Sequence, residues 1–333
     1  MSSSPLELSI IVPNFNEPAC LEELAGRIHA TLASISLHAY EIIFVDDGSQ
    51  DHSREILRTL SAKDSRVKAL FLSRNFGHQF AITAGFDHAR GEAVLVMDAD
   101  LQHPPEIIPD FVKKWGEGFD IVYGVRLSRA GESWFKRSSS AAFYRMLRAL
   151  TRTNIPLDSG DFKLLSRQAM NMLNQLRERS RFMRGLVSWI GYPQAPVHYH
   201  RAARFTGETR YPVRKMVKLA LDAILAFSDL PLRIATWVGF TGIVVCLAYL
   251  SYILAVKIML GTPVKGWTSL VAITVFIGSV QLTVLGVMGQ YVERIYEEIK
   301  GRPLYIVMER EGFGDGPMDP PLPGASTASR LHP

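Results

Sequence analysis

Two stretches of this chain carry no charged residue, 234–256 (IATWVGFTGIVVCLAYLSYILAV) and 266–292 (GWTSLVAITVFIGSVQLTVLGVMGQYV). Each is longer than the roughly 20 residues that a helix needs to cross the hydrocarbon layer of a bilayer. In lipid the backbone polar groups must be satisfied within the segment, so such runs fold as helices. The pair predicts a transmembrane hairpin closed by the short GTPVKGWT. Two buried soluble helices are the alternative, but apolar runs of this length without a polar face are rare there. Arg210, Arg214, Lys215, Lys218 and Arg233 precede the hairpin, Arg294, Lys300 and Arg302 follow it, and Lys265 lies in the connection. Basic residues collect on the cytoplasmic side, so both ends are expected in the cytoplasm and the chain in the inner (plasma) membrane. Gly278, Gly286 and Gly289 would admit close helix packing, within one hairpin or between copies in a homo-oligomer.

Ahead of the hairpin the period of the apolar residues changes. ELSIIVPN, EIIFVDDG, VKALFLS, AVLVMDAD and DIVYGV read as strands. CLEELAGRIHATLASI, HSREILRTLSA and HQFAITAGFDHA read as the helices between them. Alternation of this kind predicts an α/β domain with a mainly parallel sheet and right-handed crossovers. Such sheets bind ligands beyond the carboxyl ends of their strands, and polar clusters fall there: PNFNE, DDGS and DADLQ. A dinucleotide-binding fold is not indicated, because the one run of suitable glycines, GFGDG, has no strand before it.

With 333 residues, 47% of them apolar, the chain has material for a core besides the hairpin. Its formal charge of +5 suits nucleic acid, an anionic membrane surface or phosphorylated small molecules, and charge alone does not choose among them. The two cysteines, Cys20 and Cys246, make no disulfide framework, and the N-terminus lacks a basic stretch followed by an apolar one, so no secretory signal is expected.

The most informative short segment is AVLVMDADLQHPPE, residues 93–106. Asp98 and Asp100 at the mouth of a buried strand repel each other and lose hydration, a costly arrangement unless a cation sits between them. PNFNE, DDGS and DADLQHPPE, in this order and at these strand ends, resemble the nucleotide-sugar-binding domain of glycosyltransferase family 2, the GT-A fold. GDFKLLSR at 160–167, RFTGETRYPVRKM at 204–216 and the C-terminal hairpin extend the resemblance to the polyprenyl-phosphate glycosyltransferases, over roughly residues 6–307. A lone D-x-D is weak evidence, whereas five ordered motifs and a hairpin are specific.

The resemblance implies a division into a cytoplasmic GT-A domain at 1–209, an amphipathic juxtamembrane segment at 210–232, the hairpin at 233–300, and a tail at 301–333, largely disordered from 311. It also implies roles. Asp98, Asp100 and Gln102 would hold Mg²⁺ or Mn²⁺ against the diphosphate of the donor. Asp98 and Arg126 would lie against that donor as well. Asp46 and Asp47 would bond base and ribose; as bare residues they read equally well as N-caps of HSREIL. Pro13, Asn16 and Glu17 would frame the nucleoside, or serve as turn and cap. Asp161 resembles the catalytic base of an inverting displacement, with capping of the following segment as its structural alternative. Arg204, Arg210, Arg214 and Lys215 would meet the acceptor phosphate or the lipid headgroups.

The activity so implied is transfer of one sugar, glucose from UDP-glucose first of all, to undecaprenyl or another polyprenyl phosphate at the cytoplasmic face. The partners are a UDP- or GDP-sugar, the lipid phosphate and the bilayer, with no nucleic acid. Alternatives are the same chemistry with GDP-mannose or a modified UDP-sugar, a processive polysaccharide synthase, and a non-catalytic membrane-anchored nucleotide-sugar binder. A synthase usually has more membrane helices and a Q-x-x-R-W motif, where this chain has RFMRGLVSW.

Overall fold

The computed structural model describes residues 6–127, 159–179, 181, 183–200, 230–260 and 266–314. Arg204, Arg210, Arg214, Lys215 and Lys218 lie outside these residues. Two compact units separate: the first takes the described chain up to residue 200 and resumes at Arg302, and the second takes the two long helices.

The first unit is built on strands β1 (Leu8–Asn14), β2 (Tyr40–Asp46), β3 (Val67–Leu72), β4 (Ala93–Val96), β5 (Ile121–Arg126), β6 (Ser159–Ser166), β7 (Gln194–Tyr199) and β8 (Val307–Glu311). They form one sheet in the order β7-β5-β6-β4-β1-β2-β3-β8. Every residue of β1 and β2 is buried, as expected where both faces of a sheet are covered. Successive side chains serve opposite layers. Ile10 and Val12 join Leu21, Leu24 and Ile28 of α1 (Pro18–Ser34), Leu57 of α2 (Ser53–Lys63) and Phe111 of α4 (Ile108–Gly116). Ile11 joins Ile82 and Phe86 of α3 (His78–His88), Met170 and Leu173 of α5 (Arg167–Gln175) and Leu186 of α6 (Met183–Trp189).

The sheet is mixed. Strands β4, β1, β2 and β3 run parallel, but β6 lies antiparallel between β4 and β5, and β8 is antiparallel to β3. The insertion of β6 is what builds the site. Its register pairs Val96 with Lys163, so its first residues lie beside the carboxyl end of β4 and bring Asp161 to the acidic turn that follows that strand.

Strand β8 gives the first part of the segment after the hairpin a place in the sheet. Residues 307–311 close the edge of the sheet, and a fork from Arg58 to Glu309, at 3.0 and 2.6 Å, fastens them. Just before the strand, the Tyr305 hydroxyl donates to Asp87 Oδ2 at 2.6 Å, and Arg177 grips both oxygens of the same carboxylate at 2.8 and 2.6 Å. Tyr305→Phe removes one hydrogen bond to a buried charged group and should cost about 1–2 kcal/mol. Denaturant unfolding of the detergent-solubilised protein checks this, and an unchanged midpoint would show that the contact adds nothing.

The second unit consists of α7 (Leu230–Leu260) and α8 (Trp267–Ile299). Both are long and apolar enough to cross a membrane, over Ala235–Val256 at mean hydropathy 2.1 and Ile273–Ile299 at 1.5. Large apolar side chains, among them Trp237, Phe240, Leu247, Phe276 and Leu285, stand exposed on them. The hydroxyls of Thr236, Ser251, Thr274, Ser279 and Thr283 donate to carbonyls one turn earlier and so need no water.

Candidate active site

Beyond β4 the chain folds back on itself. The Asp98 amide donates to His103 Nδ1 at 3.1 Å, and the buried His103 ring stacks on Phe162 with centroids 4.7 Å apart. The Gln102 amide donates to Asp100 Oδ1 at 3.1 Å, and between them Leu101 adopts a left-handed φ of 59°, costly for a γ-branched residue outside a functional turn. This geometry leaves two acceptors, Asp98 Oδ1 and Gln102 Oε1, buried without a hydrogen-bond partner. Buried oxygens of that kind carry a desolvation cost that only a donor or a cation offsets.

Asp161 stands against this turn. His78, the first residue of α3, reaches between the two acidic groups, with Nε2 3.5 Å from Asp98 Oδ1 and 3.6 Å from Asp161 Oδ2. Arg184 of α6 donates from Nε to Asp161 Oδ1 at 3.1 Å and from Nη2 to Oδ2 at 3.4 Å. Burial would push the Asp161 carboxyl up, but His78, the Arg184 charge and the Lys163 charge outweigh it and hold the group well below the usual carboxylate range. Burial likewise pulls the His78 imidazole down, and the contact with Asp161 and the charge of Asp98 more than restore it, so its net shift is upward. Lys163 is 5% exposed, and burial brings its ammonium down to about 8 despite the attraction of Asp161.

The loops after β1 and β2 are knit together. Asp46 accepts from Asn14 Nδ2 at 3.1 Å, from the Ser49 amide at 3.1 Å and from Arg54 Nε at 2.9 Å. Asp47 accepts the amides of Phe76 and Gly77 at 2.7 and 2.9 Å, which ties the entry of α3, and hence His78, to the end of β2. Burial, only partly offset by those amides, raises the Asp47 carboxyl. Neither aspartate caps α2, as their spacing had allowed; Asp51 takes the Ser53 amide instead, at 2.9 Å. Asn16, at φ 55°, accepts the Gln50 amide at 3.0 Å, Glu17 occupies the N-cap of α1 without a side-chain cap bond, and Pro13 is buried within β1. Arg126, at the end of β5, donates from Nε to the Tyr199 hydroxyl at 3.3 Å.

The structure therefore gathers Asp98, Asp100, Gln102 and Asp161 at one place and gives internal partners to Asn16, after the neighbouring β1, and to Asp46 and Asp47, two strands away. Three residues that the motifs do not assign complete the centre: His78, Lys163 and Arg184. In the sequence Lys163 lies within GDFKLLSR, Arg184 within RFMRGLVSW, and His78 opens HQFAITAGFDHA, with no spacing that sets them apart.

The model of the family described as Glycosyl transferase family 2 matches residues 9–173, from β1 through α5. The uncharacterized glycosyltransferase YkcC of Bacillus subtilis (strain 168) is 44% identical over 93% of this chain and 96% of its own length. The chain belongs to glycosyltransferase family 2. Its relatives include the SfII prophage-derived bactoprenol glucosyl transferase of Shigella flexneri, 36% identical over 91% of this chain and 97% of the relative. A prophage bactoprenol glucosyl transferase homolog of Escherichia coli (strain K12) is 37% identical over 91% and 98%. Among solved structures, glucosyl-3-phosphoglycerate synthase from Mycobacterium tuberculosis, in complex with Mn²⁺, UDP-glucose and phosphoglyceric acid, aligns with a TM-score of 0.45 and 17% identity over 66% of this chain and 77% of that one. In this family 2 glycosyltransferase the acidic turn and Asp161 both lie inside the region that the family model matches.

Proposed function

We propose that this glycosyltransferase moves one hexose, glucose from UDP-glucose, to undecaprenyl or another polyprenyl phosphate at the cytoplasmic face of the membrane, with inversion at the anomeric carbon. The observation that carries the reading is the length of the likeness to proteins named bactoprenol glucosyl transferase. At 302 and 305 aligned residues, it is too long to be confined to the sheet domain and must extend into the two apolar helices.

Among the described residues no three His, Cys, Asp or Glu side chains form a complete metal cage. The site nonetheless fits a hard divalent ion: Asp98 Oδ1 and Gln102 Oε1 are buried acceptors lacking donors, and Asp100 lies beside them. Mg²⁺ and Mn²⁺ commonly take one or two protein carboxylates and complete their shell with substrate phosphates and water. When bound, such an ion would offset the negative charge that develops on the departing diphosphate. Asp98, Asp100 and Gln102 would hold it. Pro13, Asn16, Glu17, Asp46 and Asp47 would line the nucleoside, and Arg126 would face the phosphates.

Asp161 acts by orientation. A carboxyl held so far down by its neighbours is a poor proton acceptor, and it needs to accept none. The second pKa of a phosphate monoester is near 6, so the acceptor arrives largely as the dianion. The carboxylate aligns the attacking oxygen with the anomeric carbon, opposite the leaving diphosphate, which is the entropic part of the barrier.

The lipid tail of the acceptor stays in the bilayer, so the site must work at its surface. Arg214, Lys215 and Lys218, together with Arg204 and Arg210, would hold it there, with both chain ends cytoplasmic. Replacing Arg214, Lys215 and Lys218 by glutamine removes about 1 kcal/mol of surface attraction per charge. Glycolipid formation in liposomes containing anionic lipid should fall, while UDP-sugar affinity by calorimetry should hold. Unaltered glycolipid formation would leave this segment a connector. The reading itself is tested by incubating the full chain with undecaprenyl phosphate, a divalent cation and radiolabelled UDP-glucose or GDP-mannose. Label from UDP-glucose is expected in the lipid extract. Transfer only from GDP-mannose would change the donor, and label in a polymer would favour a synthase.

A further inference from the structure

Lys163 has no part in the mechanism as so far described, yet it sits at the centre of the site. It lies two residues beyond Asp161 on β6, so both side chains leave the same face of the strand. A cavity of about 10 Å³, room for a single water, is lined by these two side chains and by Ile82, Phe86, Val96, Leu165, Met183 and Val187. The buried Lys163 side chain thus borders a small, largely apolar nook that it shares with Asp161, and its charge acts on Asp161 and Arg184. Asp161 itself accepts from Arg184 and is approached by His78, so Lys163 adds a third positive charge that acts on the same carboxylate without an ion-pair contact.

We propose that Lys163 is a positioning residue for sugar transfer: from its place beside Asp161 on the same face of β6, its charge fixes that carboxylate in the orientation at which the acceptor phosphate is aligned. The inference rests on the reading of Asp161 given above. The nook is too small for a phosphate, so Lys163 acts through Asp161 and does not touch the substrate. A buried cation is also an inefficient source of stability. Its desolvation opposes its attraction to Asp161, and a well-packed apolar side chain of similar length is often as stable or more so. A role in stability and a role in orientation consequently predict opposite outcomes for the same substitution.

The test is Lys163→Met in the full-length protein, alone and combined with Asp161→Asn. With Met, the thermal midpoint should equal or exceed that of the wild type. The kcat for glycolipid formation should fall tenfold or more, and KM for the sugar donor should stay within twofold. In the Asp161→Asn background the same substitution should change kcat less than twofold, because the group it positions is already gone. Lys163→Gln, which keeps a polar side chain, provides a second cycle should the Met variant express poorly. A lower midpoint with proportionate loss of active protein would make Lys163 a stabilising partner only. Unchanged kcat, or a tenfold loss that persists with Asp161→Asn, would also overturn the proposal. Failure of the function reading looks different: wild-type protein would then form no lipid-linked sugar from any donor.

Discussion

Chelation of divalent cations should abolish sugar transfer, and Asp98→Asn should slow it on the order of a hundredfold or more. Both expectations follow from the acidic turn. Asp98 Oδ1 is buried without a hydrogen bond, its nearest cation the His78 ring at 3.5 Å, Gln102 Oε1 is buried without a hydrogen bond as well, and Leu101 is held left-handed between Asp100 and Gln102. A chain does not retain that combination for stability, since each feature costs free energy in the absence of a ligand. Asparagine keeps the shape of aspartate but removes the charge, and it can turn an amide hydrogen toward the place where a cation would lie. The substitution should therefore spare folding and damage turnover. Restoration of the chelated enzyme by Mn²⁺ or Mg²⁺ would complete the case, whereas full activity in EDTA would remove the metal from the account.

Asp161→Asn should lower kcat on the order of a hundredfold, the size of loss that misplacing a reacting group produces, while KM for the donor stays nearly constant. The carboxylate is gripped by Arg184 and approached by His78, and the Lys163 charge acts on it as well. An amide in the same place can accept from Arg184 but balances none of the three cations. What is lost is alignment of the acceptor, an interaction made at the reacting centre and not with the nucleotide. A matching loss of nucleotide affinity would place Asp161 in the donor site instead. Thermal midpoints of wild type and variant, measured in the same detergent, separate either result from loss of fold.

Much of the catalytic half of the fold is written in local pattern. The five strands from β1 to β5 and helices α1 to α3 are runs of Ile, Val and Leu, or amphipathic stretches, set between turn residues, and they form where that pattern places them. Strands β6, β7 and β8 carry weaker marks. SGDFKLLS holds a buried lysine and an aspartate, QAPVHY contains a proline, and VMERE lies on an edge where polar side chains are at home. Their pairing is decided by tertiary contacts such as the Arg58–Glu309 fork and the Asp87 cluster. The same contrast holds within the site. Asp98, Asp100 and Gln102 are neighbours in sequence and are legible as a motif. His78, Arg184 and Asp161 come from three distant elements and meet only because β6 enters antiparallel beside β4. Asp46 and Asp47, conspicuous as a pair, also bond the loops around them, which no spacing rule foretells.

The central claim is that a sugar is joined directly to the phosphate of a polyprenyl lipid and that a nucleoside diphosphate departs. The most direct measurement is mass spectrometry of the lipid extract after reaction of the full-length protein with UDP-glucose and undecaprenyl phosphate, together with quantification of the released nucleotide. The account predicts a lipid bearing one hexose on a single phosphate, and one UDP released for each lipid formed. A hexose linked through two phosphates with release of UMP, or UDP release with no lipid-linked sugar, would contradict it.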